Sequence, residues 1–197
     1  MNRRQFTGHL VKGAAVTALV GTTLTFEGCT TDWITTAIND LPTIVSIINT
    51  AASIVAAALG AGGIAPAVAA IIATAAQAAQ VALALLQQLI KDYQANPSAS
   101  VLAQIKLTLL DVQAQLGQIL TAAHIDNVVL RATITFVIGT AITVLTDILS
   151  LLPTTGVVTA KAVAATAKYA VKPMNVGQIK SQVNSYLVGN GYGQFQI

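Results

Sequence analysis

Charge is what this chain most lacks. Of its 197 residues, 9% are Asp, Glu, Lys or Arg, against about 25% in an ordinary soluble domain. Its surface must therefore be built from Gln, Thr, Ser and Ala, or must partly face lipid or a partner. Aromatic residues are also scarce, at 5%, which leaves the core to aliphatic side chains and alanine. One cysteine, Cys29, excludes an intrachain disulfide. Glutamate occurs only at Glu27, and beyond the first thirty residues the only histidine is His124. A metal site needs three or four convergent His, Cys, Asp or Glu groups, and the di-iron site of four-helix bundles needs glutamates. Neither set exists here. His124, beside Asp126 at a helix junction, reads as a cap or dipole partner. Ser and Thr are plentiful, but no base and orienting group accompany them, so they read as helix polar faces and caps. Gly60–Gly63 follows a helix and lacks a trailing Lys-Ser/Thr, so it is not a phosphate loop. The expectation is a protein without a cofactor that is not an enzyme.

The net charge of +3 hides an uneven distribution. Arg3, Arg4 and Lys12 sit at the start. Six aspartates against Lys91, Lys106 and Arg131 make residues 30–152 acidic, and Lys161, Lys168, Lys172 and Lys180 make the remainder basic. Nucleic-acid binding would need a dense basic face interleaved with aromatics or arginines. Four spread lysines do not supply it, so no nucleic-acid partner is expected.

What is present begins with an export layout. Arg3-Arg4 precede a thirteen-residue uncharged run, Ala14 to Phe26, too short to span a bilayer permanently. A positive start and a short apolar stretch are the plan of a secretory signal. Arg3-Arg4-Gln5-Phe6 resembles the twin-arginine export motif, and the mild hydrophobicity of the run, with Gly21 and several threonines, is similar to that class. The run closes on Phe26-Glu27-Gly28-Cys29, which resembles a bacterial lipobox. Glu27 is unusual there and Phe26 stands in place of the common Leu. The resemblance implies a lipid on Cys29 as the mature N-terminus. Thr30, rather than Asp, follows it, which implies the outer membrane over inner-membrane retention. The remaining alternative is a free thiol beyond a signal cut elsewhere. Three regions follow: a signal at 1–29, a bundle at 30–152, and a basic segment with a glycine- and aromatic-rich tail at 153–197.

After Thr31 the apolar residues recur with helical period. Leu102, Ile105, Leu109, Val112, Leu116, Ile119 and Ala123 form one face of a helix, with Gln104, Thr108, Asp111, Gln115 and Gln118 opposite. In the preceding helix, Leu83, Leu86, Leu89, Ile90 and Tyr93 oppose Thr74, Gln77, Gln80, Gln87 and Lys91. Asn96-Pro97-Ser98 breaks the chain, with Ser98 or Ser100 placed to cap. A fourth helix starts at Asp126 and ends at Leu152-Pro153. Pro42, two residues after Asp40, fits the first turn of a helix, which predicts a turn over Asp32–Asn39 and a helix from Pro42 to the stop at Gly60–Gly63. The fold expected is all-α: an up-down-up-down four-helix bundle followed by two short C-terminal helices, 159–170 and one capped by Asn175 and Gln178. The tail after Gly189 is either a disordered end or a strap over the bundle. Trp33 is either an interfacial anchor or a core residue.

No charged side chain occurs between Asp40 and Lys91. A charge-free helical hairpin whose tip holds Gly60, Gly62, Gly63 and Pro66 resembles, in hydropathy alone, the inserting hairpin of helical pore-forming toxins. Half of residues 51–84 are alanine, however, and alanine gains little from lipid. Gln77 and Gln80 would be costly at the bilayer centre. The expectation is an exported, lipid-anchored bundle of the outer membrane or periplasm with a structural or partner-binding role, its partner an unidentified protein or a second copy. Membrane insertion through the 41–90 hairpin and carriage of an apolar ligand in the bundle interior are the alternatives. A filled core with an exposed, mildly apolar patch would favour the first, faces apolar all round the second, and an enclosed Leu/Ile-lined cavity the third.

Overall fold

A computed structural model describes residues 31–123, 125–153 and 175–197. Arg3, Arg4, Phe6, Cys29, His124, the 159–170 helix and the lysines at 161, 168 and 172 lie outside the described residues. Within them the protein is all-α, with no strand. Four long helices come first: α1 (Thr31–Gly60), α2 (Pro66–Ala95), α3 (Ala99–Ala122) and α4 (Val128–Leu151). A shorter α5 (Val176–Gly189) and a 3-10 turn at Gly193–Phe195 follow. α1 packs on α2 and α4, and α3 packs on the same two, so the long helices form a four-membered ring.

Side-chain pairs give the direction of α1 against α2. Trp33 meets Tyr93 with ring centroids 5.5 Å apart, and further along α1 Asn49 accepts from Gln80 Nε2 at 2.7 Å. Climbing α1 descends α2, so the two are antiparallel. The links 96–98 and 123–127 are too short to carry the chain back along helices of 24 residues, each about 36 Å long at 1.5 Å rise.

Most helix boundaries are local chemistry. At the end of α1, Gly63 N–H donates to Ala58 O at 2.8 Å and Gly62 N–H to Leu59 O at 3.0 Å. This closing pattern needs a left-handed residue, and Gly62 supplies it at φ 72°. Pro66 opens α2, where its missing N–H costs nothing. Ser98 Oγ accepts from Val101 N–H and caps α3. Asn127, one residue beyond the expected Asp126, caps α4 through Leu130 N–H at 3.1 Å. The box between Asn175 and Gln178 caps α5 as expected.

One feature departs from the sequence reading. No turn separates 32–39 from Pro42: α1 runs unbroken through the proline. An interior proline deprives the carbonyl four residues earlier of its bond and ordinarily breaks the helix. Trp33, Ile34, Ala37, Leu41 and Ile44 nevertheless form one buried stripe on both sides of it. Pro42 is exposed, so the side of α1 it disturbs faces solvent, and burial of the stripe outweighs the lost bond.

The tail takes one of its two expected forms, the strap. Tyr192 N–H donates to Leu187 O at 2.7 Å across Gly191 at φ 82°, turning the chain back after α5. Asn184 then holds Ile197 by two bonds, accepting from its N–H at 2.8 Å and donating to its carbonyl at 3.1 Å. Thr50 Oγ1 of α1 donates to Phe195 O at 3.3 Å. Tyr192, Phe195 and Ile197 pack on the core beneath.

The core is aliphatic, as the shortage of aromatics requires. Ile44, Ile47, Ile48 and Ile54 of α1 are fully buried with Ile72, Leu83 and Leu86 of α2, Ile105 and Leu109 of α3, and Ile134, Val137 and Ile138 of α4. Each contributes about 1.5–3 kcal/mol by leaving water. Ala37, Ala51, Ala75 and Ala79 lie among them. Hydroxyls in this apolar setting bond their own helix. Thr133, with no exposure, donates to Val129 O at 2.8 Å, which avoids an unpaired buried donor.

Candidate functional site

The α2/α3 face is the surface that departs most from what a water-facing helix pair would carry. Along α2, Ile71, Val81 and Leu85 are exposed; along α3, Leu107 and Leu110 are exposed, Val81 and Leu107 by two thirds of their area. Thr74, Ala78, Val81, Leu85, Leu107 and Asp111 line a groove of about 620 Å³ between the two helices. Both helices bury the faces the sequence assigned to the core: Leu102, Ile105, Leu109, Val112, Leu116 and Ile119 on α3, and Leu83, Leu86, Leu89, Ile90 and Tyr93 on α2. The outer face of α3 is not the uniform polar stripe expected. Thr108 turns inward and donates to Gln104 O at 2.9 Å, while Leu107 and Leu110 stand at the crest. Sequence reasoning missed these two. The signal was available: with Ala103 and Ala114 they repeat at spacings of four, three and four, outside the core stripe.

The hairpin-tip residues Gly60, Gly62, Gly63 and Pro66 are brought together at the α1–α2 turn. A cleft of about 430 Å³ is lined there by Leu59, Gly62, Gly63, Pro66 and, from the α3–α4 link, Ile125 and Asp126. Both links therefore share one end of the bundle. From Ile54 to Ala73 not one side chain is polar, because the segment consists of Ala, Gly, Val, Ile, Leu and Pro. By length and composition α1, α2 and α4 are each long and apolar enough to cross a membrane. The outer faces of α1 and α2 are mixed, since Asn49, Gln77, Gln87 and Gln88 are exposed.

A third locus is acidic. Asp40 of α1 is buried, and burial, with the neighbouring Asp147 carboxylate of α4 adding repulsion, raises its pKa to about 6. Asp147 is raised too, by burial. Such a pair is the closest approach to catalytic chemistry among the described residues, yet neither cleft is lined by Asp40 or Asp147. No group of three or more His, Cys, Asp or Glu able to hold a metal occurs among the described residues.

Trp33 lies in the core, 1% exposed and tilted against Tyr93, so the reading of it as a core residue holds and the interfacial one does not. Its indole N–H finds no acceptor among the described residues. Comparison with protein-family models, with curated proteins and with solved structures gives no match.

Proposed function

We propose that this chain is an exported, non-enzymatic helical bundle, tethered to an envelope membrane through a lipid on Cys29, that works by presenting the α2/α3 face to a protein partner. The observation that carries the reading is the exposed apolar seam of Val81, Leu85, Leu107 and Leu110 on helices whose opposite faces are already committed to the core. A fold needs one buried stripe per helix; a second apolar stripe on the outside lowers solubility unless something covers it. The export and tethering parts rest on Arg3, Arg4, Phe6 and Cys29.

The reading is tested in two measurements. Intact-mass analysis with membrane fractionation should find a lipid mass on the wild type and release of Cys29→Ala into the soluble fraction. A Cys29→Ala protein retained in carbonate-washed membranes would overturn the tether. A photo-reactive side chain at Val81 or Leu85 should form covalent adducts in intact cells, whereas one at exposed Gln94 on the same helix should not. Equal labelling at the three positions would overturn the binding face.

Insertion of the 41–90 hairpin is the second reading, favoured by the polar-free stretch 54–73 and by the apolar lengths of α1 and α2. The bundle reading is better supported, because the exposed amides of Gln77 and Gln87 would each need a partner in lipid. The carbonate wash of Cys29→Ala separates the two.

A further inference from the structure

We infer that the partner of the α3 face is a second copy of this chain, docked in parallel, α3 along α3. The inference rests on the α2/α3 face being a binding surface and names what binds there.

Consider the outer surface of α3 as a helix with 3.6 residues per turn. Ala103, Leu107, Leu110, Ala114 and Gly117 follow one another at alternating spacings of four and three, which is the seam of a two-stranded coil. Leu107 and Leu110 are exposed by 66% and 43%. The positions around them are small, and a Cβ added at Gly117 would touch nothing of its own chain within 4 Å. Small residues on both sides of a leucine pair let a second helix come close.

Two charges border this seam, and they decide its orientation. At 3.6 residues per turn, Lys106 lies about 100° to one side of Leu107 and Asp111 about 40° to the other. With the seam centred between Leu107 and Leu110, the two stand on opposite flanks, about equally far out. Both are exposed. Asp111 borders the groove beside Val81 and Leu85 of α2 and accepts a long 3.5 Å bond from Gln115 Nε2. The Lys106 flank is the α4 side, where Gln113 donates to Thr146 at 2.9 Å.

When two such helices pack face to face in parallel, the left flank of one meets the right flank of the other. Lys106 then faces Asp111 of the second copy, and the reverse pair forms by symmetry. The lysine stem spans the axial separation of about 7.5 Å between the two positions. In the antiparallel arrangement left meets left, so Lys106 faces Lys106 and Asp111 faces Asp111, which repels. A parallel twofold also puts both copies of the α1 N-terminus at one end of the dimer, the geometry that two tethers in one membrane require.

Sedimentation of the full-length Cys29→Ala protein over a concentration series should show a monomer–dimer equilibrium. Lys106→Asp and Asp111→Lys should each weaken dimerisation by about tenfold or more, and the double swap Lys106→Asp/Asp111→Lys should restore it. Circular dichroism checks that each variant is folded. In the same background, Ala103→Cys should cross-link to itself and Ala114→Cys to itself, because a parallel twofold brings identical positions together. The inference is overturned if the protein is monomeric throughout, if the double swap does not restore the dimer, or if Ala103→Cys cross-links only with Ala114→Cys. Should the chain be monomeric while photo-adducts at Val81 or Leu85 join it to a different protein, self-docking falls and the binding face stands. Should those adducts also be lost, both fall.

Discussion

Phe136 of α4 and Tyr186 of α5 stack with ring centroids 3.9 Å apart and planes 13° from parallel. The pair sits where α5 lies against the bundle, and the α5 core residues Ile179, Val183 and Leu187 are fully buried nearby. In a chain so poor in aromatics, two of them are spent on this junction.

Tyr186→Ala should therefore loosen α5 before it affects the four long helices. The expected loss is about 1–3 kcal/mol, part area burial and part ring contact. Hydrogen exchange should quicken in 176–189 while α2 and α3 stay protected. A double-mutant cycle with Phe136→Ala should return a coupling of about 0.5–1.5 kcal/mol; additive losses would mean the stacking itself contributes nothing.

Asp40 makes stability depend on pH in the less usual direction. Its pKa in the folded protein is about 6, against 3.8 unfolded, because burial and then the Asp147 carboxylate disfavour its charge. The folded state thus binds the proton more tightly, and stability falls as pH rises from about 4 through about 6. Asp147, raised by burial, acts in the same sense. Thermal melts should show a higher Tm at pH 4.5 than at pH 7.5. Asp40→Asn should remove most of that difference and stabilise the protein at pH 7.5 by about 1–2 kcal/mol, the shift being discounted for the cost of a buried amide. A variant with the wild-type pH slope would locate the effect elsewhere.

Two leucines on α3 provide a sharper contrast. Leu109 is fully buried and Leu107 is 66% exposed. Leu109→Ala should cost about 2–5 kcal/mol by urea unfolding, through lost transfer energy and the cavity left behind. Leu107→Ala should change monomer stability by no more than about 0.5 kcal/mol. Comparable losses at both positions would mean the two faces of α3 are assigned wrongly.

The α1–α2 turn distinguishes two glycines. Gly62→Ala forces a side chain into φ 72° and should destabilise by about 1–2 kcal/mol. Gly60, with open space where its Cβ would be and no positive φ, should accept alanine at no cost or with a small gain. Calorimetry of the two variants decides it; equal effects would mean that the left-handed turn at Gly62 is not needed.

Much of the bundle was legible because it is written in short-range terms. The three-and-four spacing of Leu102 to Ile119, the stop at Gly60–Gly63, the Ser98 cap and the Asn175/Gln178 box each depend on residues within a turn or two, and each is where the sequence puts it. Pro42 misled for the same reason. Its local effect is to end a helix, and only the stripe from Trp33 to Ile44, buried against two other helices, overrides it.

The sequence by itself determined the class of fold and the apolar character of the core, because these depend on composition and period. The tertiary structure decided the rest. It laid the tail down as a strap, through Asn184 holding Ile197 and Thr50 reaching Phe195 from another helix. It set Asp40 beside Asp147 across α1 and α4. It also left Leu107 and Leu110 outside while using Leu109 inside. The helical period separates Leu109 from Leu107 and Leu110, but it does not say whether a neighbouring helix covers the outer pair. Which of them water can reach depends on where α2 and α4 lie, a property of the assembled bundle.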